Sequence, residues 1–117
     1  MAVNIDGEKV EALVEGLDDM LVHMIDDYCK WMGNDDPIKK RMCSEYHAGL
    51  TYYMGKKYIK VTSNESVCAF VVACENDKKF EFGDILKPAG WKAPARNFRR
   101  GNVLDRSFDR VRWTGAL

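Results

Sequence analysis

Apolar side chains at Val10, Leu13, Val14, Leu17, Leu21, Met24, Tyr28 and Trp31 recur in steps of three and four. That spacing lines one face of an α-helix. A chain opening on such a stripe must fold something against it. Asp6 is placed as N-cap, with Ile5 and Val10 as a hydrophobic staple around it. Gly33 suits the left-handed residue that closes a helix. The expected helix runs from 7 to 32, with Gly16 as a flaw costing about 1 kcal/mol relative to alanine. Its acids, Asp18, Asp19, Asp26 and Asp27, lie mostly off the stripe, as on a solvated face.

Asp36 and Pro37 then form an N-cap and N1 pair. They predict a second helix over 37–48 with Ile38, Met42, Tyr46 and Leu50 on its inner face. Helices joined by so short a loop pack as an antiparallel hairpin. From Gly49 the composition favours strands. Leu50–Met54 and Lys57–Thr62 read as a hairpin turning at Gly55, against a competing reading that continues the second helix to Met54. The valine-rich run Val67–Cys74 reads as a central strand buried on both faces. Lys79–Phe82 and Ile85–Lys87 are expected as further strands, and Val111–Thr114 as a short last one. Expected core residues are Leu13, Leu17, Leu21, Met24, Tyr28, Tyr46, Tyr58, Ile59, Val67, Phe70, Val72, Phe82, Ile85 and Trp91.

These elements predict one α+β domain over residues 1–117. A helical hairpin (1–48) packs on a bent antiparallel sheet (49–117), with closure into a small barrel as the alternative form. The 117 residues suffice for one hydrophobic core. Charge is divided along the chain. Residues 1–36 hold ten acids and two bases, whereas residues 37–117 hold sixteen bases and eight acids. Such asymmetry points to a charged partner, to pairing within the fold, or to a second copy of the chain. No apolar run approaches the roughly 20 residues that span a bilayer. The first residues lack a basic stretch followed by an apolar one, so a cytoplasmic setting is expected. There the four cysteines, Cys29, Cys43, Cys68 and Cys74, read as free thiols.

Chemistry concentrates after the last long strand. Residues 88–102 lose periodicity but keep aromatics, which marks an ordered loop. Lys87, Trp91, Lys92, Arg96, Asn97, Phe98, Arg99, Arg100 and, beyond, Arg106 form the candidate binding set. Arginine beside tryptophan and phenylalanine suits a protein interface or a nucleic acid. The plainer alternative has Trp91 and Phe98 pinning the loop to the core, with Arg96 and Asn97 hydrogen-bonding its backbone. Cys43 and His47, with Cys29 and His23 on the neighbouring helix, are weak zinc candidates, because no Cys-x-x-Cys pair accompanies them. No phosphate loop, dinucleotide fingerprint or oriented nucleophile is present. The expectation is therefore a non-enzymatic protein without metal or cofactor.

The strings Lys57–Val61, Phe82–Lys87, Ala89–Asn97, Arg100–Asn102 and Arg112–Gly115 resemble a group of small uncharacterised proteins of tailed bacteriophages, over about residues 45–117. The resemblance implies expression in a bacterial cytoplasm during infection and carries over no catalytic residue. The phrase Lys79–Leu86 is similar to the strand–turn–strand of SH3-like barrels, which implies a tight bend at Gly83-Asp84. Together these readings predict an accessory protein that engages a host or phage protein through the basic, aromatic loop or the acidic helix. Nucleic-acid binding through the loop, and a structural role in the virion, are the alternatives.

Overall fold

The computed structural model of the chain describes residues 7–33 and 35–117. The proposed N-cap Asp6 and the Ile5 staple lie outside these residues, as does Asn34 in the interhelical loop. Helix α1 spans Gly7–Met32 and helix α2 spans Pro37–Gly49. Gly33 closes α1 at φ 84°, its N–H donating to the Cys29 carbonyl at 2.8 Å. Asp36 caps α2, its carboxylate accepting from Lys39 N at 2.9 Å.

Strands β1 (Leu50–Met54), β2 (Tyr58–Ser63), β3 (Ser66–Val72), β4 (Asp84–Leu86) and β5 (Gly101–Asn102) form one antiparallel sheet in sequence order. Strands β6 (Val111–Arg112) and β7 (Gly115–Ala116) form a separate two-stranded ribbon. The chain thus turns into β1 at Leu50 and does not continue α2 to Met54. The β2–β3 turn places Asn64 and Glu65 at φ 47° and 68°, the mirror-image geometry that suits a tight hairpin.

The sheet separates two apolar clusters. On one face Ile59, Val61, Ala69, Val71 and Ile85 meet Leu13, Leu17, Met20, Met24 and Tyr28 of α1. On the other, Phe70, Val72, Cys74, Phe80 and Leu86 pack together. Strand β3 is therefore buried on both faces, as its uninterrupted apolar run implies. At Gly16, α1 packs directly against the chain just beyond β5. A Cβ there would lie 2.3 Å from the Val103 carbonyl oxygen.

Several expectations are corrected. Residues 79–82 are not a strand. Asp77 accepts the N–H groups of Lys79 and Phe80 at 2.8 and 2.9 Å, and Asp84 accepts that of Glu81 at 2.8 Å. Side chains consume the amides a ladder would need, and Phe80 drops into the second cluster. The sheet is open, not a barrel. Its outer strands β1 and β5 do not pair, and burial is completed by covering both faces instead. Trp91 is 49% exposed and outside the core, and Ile38 is 73% exposed on the outer side of α2. Leu21, Tyr58, Val67 and Phe82 are only partly buried. The tail is two short strands with Trp113 and Thr114 in the turn between them, in place of one strand over 111–114.

A lysine-rich candidate interface

Between β4 and β5 the chain folds back on itself as a short tongue. Ala89 and Gly90 donate to the Ala93 carbonyl at 3.0 and 3.2 Å, Ala95 donates to the Lys87 carbonyl at 2.7 Å, and Pro88 bridges Pro94. Trp91 and Lys92 occupy the tip and are exposed. The Lys60 ammonium, on β2, sits 4.3 Å from the centre of the Trp91 ring. That contact lays the tongue over the sheet face opposite the helices.

The arginines pair within their own fold, which the expectation of a free guanidinium surface did not include, while the side chains of Arg96, Arg99 and Arg106 stay 37%, 49% and 41% exposed. Arg96 makes a two-pronged pair with Asp77, Nη1 to Oδ2 and Nη2 to Oδ1, both 2.9 Å. Its Nη1 also donates to the Tyr58 hydroxyl. The Asp77 side chain is only 1% exposed. Arg96 first, with the Phe80 and Lys79 amides in support, holds that carboxyl well below the usual carboxylate range. Arg99 meets Asp84, another buried acid, at 3.0 Å, which raises the guanidinium's proton affinity further. Arg106 pairs with Asp19 of α1 at 2.8 Å and donates to the Val103 and Leu104 carbonyls, far from the tongue tip. For Arg96 and Arg99 the physical reason is shared, whereas the Asp19 partner of Arg106 is exposed. Buried carboxylates at Asp77 and Asp84 require charged partners, and the nearest cations are those of the loop.

Arg100 differs. It is buried, stacks 3.8 Å from the centre of the Phe98 ring, and donates Nη1 to Asn97 Oδ1 and to the Phe98 carbonyl, both at 2.6 Å. Its Nε has no acceptor. Burial, and then the neighbouring Arg110, pull its pKa down. Asn97 also caps Phe98 N at 2.9 Å, so it is a bracing residue of the loop. Phe98 remains 46% exposed. Of the nine predicted site residues, the structure leaves Lys87, Trp91, Lys92 and Phe98 exposed, with no ion pair among the described residues. It assigns Arg96, Asn97, Arg99, Arg100 and Arg106 to internal bonds.

A different set of cations faces solvent at the same end of the sheet. Lys56 and Lys57 lie in the β1–β2 turn, and Asn76, Asp77 and Lys78 in the connection from β3 to β4. In an antiparallel meander these two connections share one end. With Cys74 and Arg96 they line a hollow of about 450 Å³. Asp77 is the single acid in its lining, and Arg96 already answers it. Lys57 stands 3.9 Å from Asp77 with its side chain 54% exposed. The adjacent Glu75 is taken by Lys9 of α1 at 3.0 Å. Lys79 donates to the Arg96 carbonyl at 2.6 Å, which ties the tongue's base to this corner. The sequence-based expectation lacked Lys56, Lys57, Lys60, Lys78 and Lys79. Their signal is the pairing of Gly55-Lys56-Lys57 with Asp77-Lys78-Lys79, two basic turns that a meander brings together.

The charge division of the sequence is partly answered within the fold. Arg106 reaches Asp19 and Arg112 approaches Asp27 at 4.0 Å, while Lys30 and Lys39 satisfy Asp26 and Asp35 locally. Glu11, Glu15 and Asp18 stay exposed on α1 without an ion pair among the described residues. Of the weak zinc candidates only Cys29 and Cys43 meet, and no third ligand joins them among the described residues. His23 Nε2 donates to the Val111 carbonyl at 2.8 Å, and Cys43 points to the Gly33 carbonyl. Among the described residues no group of three His, Cys, Asp or Glu is placed to hold a metal. All four cysteines are free. No helix among the described residues is long and apolar enough to cross a membrane.

A family model described as a family of unknown function (DUF7717) matches residues 4–117, so the chain belongs to that family. No curated protein and no solved structure matches it.

Proposed function

We propose that this member of the DUF7717 family is a non-enzymatic binding protein whose lysine-rich end holds the phosphate backbone of a nucleic acid. One observation carries the reading. Lys56, Lys57 and Lys78 converge on one hollow whose single acid, Asp77, is already neutralised by Arg96. Three ammonium groups in excess attract a polyanion. Lysine is depleted at protein interfaces but is a standard neutraliser of phosphates. The surface is also rigidly backed, because the arginines that hold the loop do not have to be reorganised on binding.

Fluorescence anisotropy with a labelled oligonucleotide over a salt series tests this. Each neutralised phosphate adds about 0.7–0.9 to the slope of log affinity against log salt. The variant Lys56→Ala, Lys57→Ala, Lys78→Ala is expected to weaken binding and flatten the slope by about 2. Negligible binding at low salt, or a slope unchanged by the triple variant, refutes the proposal.

A second reading rests on the acidic side of α1. Glu11, Glu15, Asp18 and the 61% exposed Val22 follow one another at helical spacing and face solvent. A basic protein partner fits that stripe. Recovery of such a partner by the wild type and its loss on Glu11→Lys, Glu15→Lys, Asp18→Lys favours it. The resemblance over residues 45–117 supports a tailed-phage accessory protein acting in the bacterial cytoplasm. Detection of the chain in purified particles favours a virion component instead.

A further inference from the structure

We infer that the nucleic acid is single-stranded, with bases stacked on Trp91 and Tyr53 around Lys60; this rests on the nucleic-acid reading above. Tyr53 and Lys60 are directly opposed in the β1–β2 register, and opposed residues share a face of the sheet. The Lys60 ammonium in turn stands 4.3 Å from the centre of the Trp91 ring. Two aromatic rings and one cation are thereby gathered at the β1 edge, on the face away from the helices. The rings are 59% and 49% exposed, far more than packing residues of a sheet this well covered elsewhere. Trp91 is held at the tip of a tongue closed by backbone bonds at both levels, so the ring is presented and not merely loose. Stacking on such rings tolerates any base and needs the base free of a duplex.

The same face is poorly equipped for a duplex. Groove readers insert a helix or a two-stranded ribbon and favour arginine on base edges. Here both helices lie on or toward the other face, and the guanidinium groups of Arg96 and Arg99 are bound to buried acids. What is left outward is lysine for phosphates and flat rings for bases.

The experiment compares a short labelled oligothymidylate with a hairpin duplex of equal phosphate count, at low salt, by anisotropy. Wild type, Trp91→Ala, Trp91→Phe and Tyr53→Ser are measured, with thermal melts as the folding control. The single strand is expected to bind more tightly than the duplex. Trp91→Ala is expected to lose roughly tenfold on the single strand alone. Trp91→Phe, which keeps a ring, restores most of it, and Tyr53→Ser loses several-fold. Equal binding of both probes, unaffected by Trp91→Ala and Tyr53→Ser, overturns the stacking inference while leaving the lysine reading intact. Binding of neither probe overturns both.

Discussion

Replacing Gly16 with alanine sets two forces of opposite sign against each other. In an isolated helix alanine is better than glycine by about 1 kcal/mol, because it lowers the backbone entropy lost on folding. In the folded protein the new methyl meets the Val103 carbonyl oxygen at 2.3 Å and its carbon at 2.8 Å. Comfortable contact needs roughly 1 Å more. The obstacle is backbone, so no rotamer change relieves it. The flanking residues Leu13, Leu17 and Met20 are at most 1% exposed and have no room to give. Overpacking of a tight core costs about 1–3 kcal/mol, and this site belongs at the upper end. The net expectation for Gly16→Ala is a loss of about 2 kcal/mol once the helix gain of about 1 is subtracted. Urea unfolding measures it, with a melting temperature lower by roughly 8 °C as the companion readout. Ala12→Gly, one turn earlier at an exposed position, reports the propensity part alone and is expected to cost about 1 kcal/mol. An unchanged or raised stability for Gly16→Ala refutes the close approach of α1 to Val103.

Asp77→Asn keeps an oxygen for the Lys79 and Phe80 amides but removes the charge facing Arg96. It is expected to cost about 1–2 kcal/mol at neutral pH, a figure held down because the Arg96 side chain is 37% exposed and partly screened by water. Since folding lowers the Asp77 pKa, its stabilisation is complete above the ordinary carboxylate value near ~4 and disappears as pH falls through the lower folded value. The variant should therefore lose stability less steeply on acidification than the wild type; parallel curves from urea unfolding would reject the pairing. Burial pushes the Cys68 thiol up to about 11, and burial followed by contact with Cys43 does the same for Cys29. Both are expected to react with iodoacetamide at least roughly tenfold more slowly than free cysteine at neutral pH, accelerating only in denaturant. Mass spectrometry of the labelled peptides checks this, and rapid labelling of Cys68 in the native protein would contradict its burial.

What could be read from the residues follows how local each signal is. The α1 stripe, the Asp36-Pro37 start and Gly33 are decided within one or two turns of chain, and the bounds 7–32 hold in the fold, although Trp31 at the end of the stripe is 65% exposed and Met20, outside it, is buried. The valine run of β3 announces a doubly covered strand. Lys79–Phe82 deceives because alternation of polar and aromatic residues also describes a loop whose amides are captured by Asp77 and Asp84. The arginines mislead for a related reason. Arg96 meets Asp77 from 19 residues away and Arg99 meets Asp84 from 15, and neither distance leaves a trace in composition. Gly16 reads as a blemish until Val103, distant in sequence, is placed beside it. The lysine end was within reach, since alternate turns of a meander share an end, but that step needs the strand order first.

The split between guanidinium groups tied to buried acids and ammonium groups left to solvent has a chemical consequence. Reagents that acylate amines would erase the outer charge while leaving the Arg96–Asp77 and Arg99–Asp84 braces untouched. A dicarbonyl that attacks guanidines would loosen the scaffold itself. Enzymatic acetylation of Lys56, Lys57 or Lys78 would therefore lower the charge of this end, and with it the binding proposed for it, without disturbing how the molecule is built.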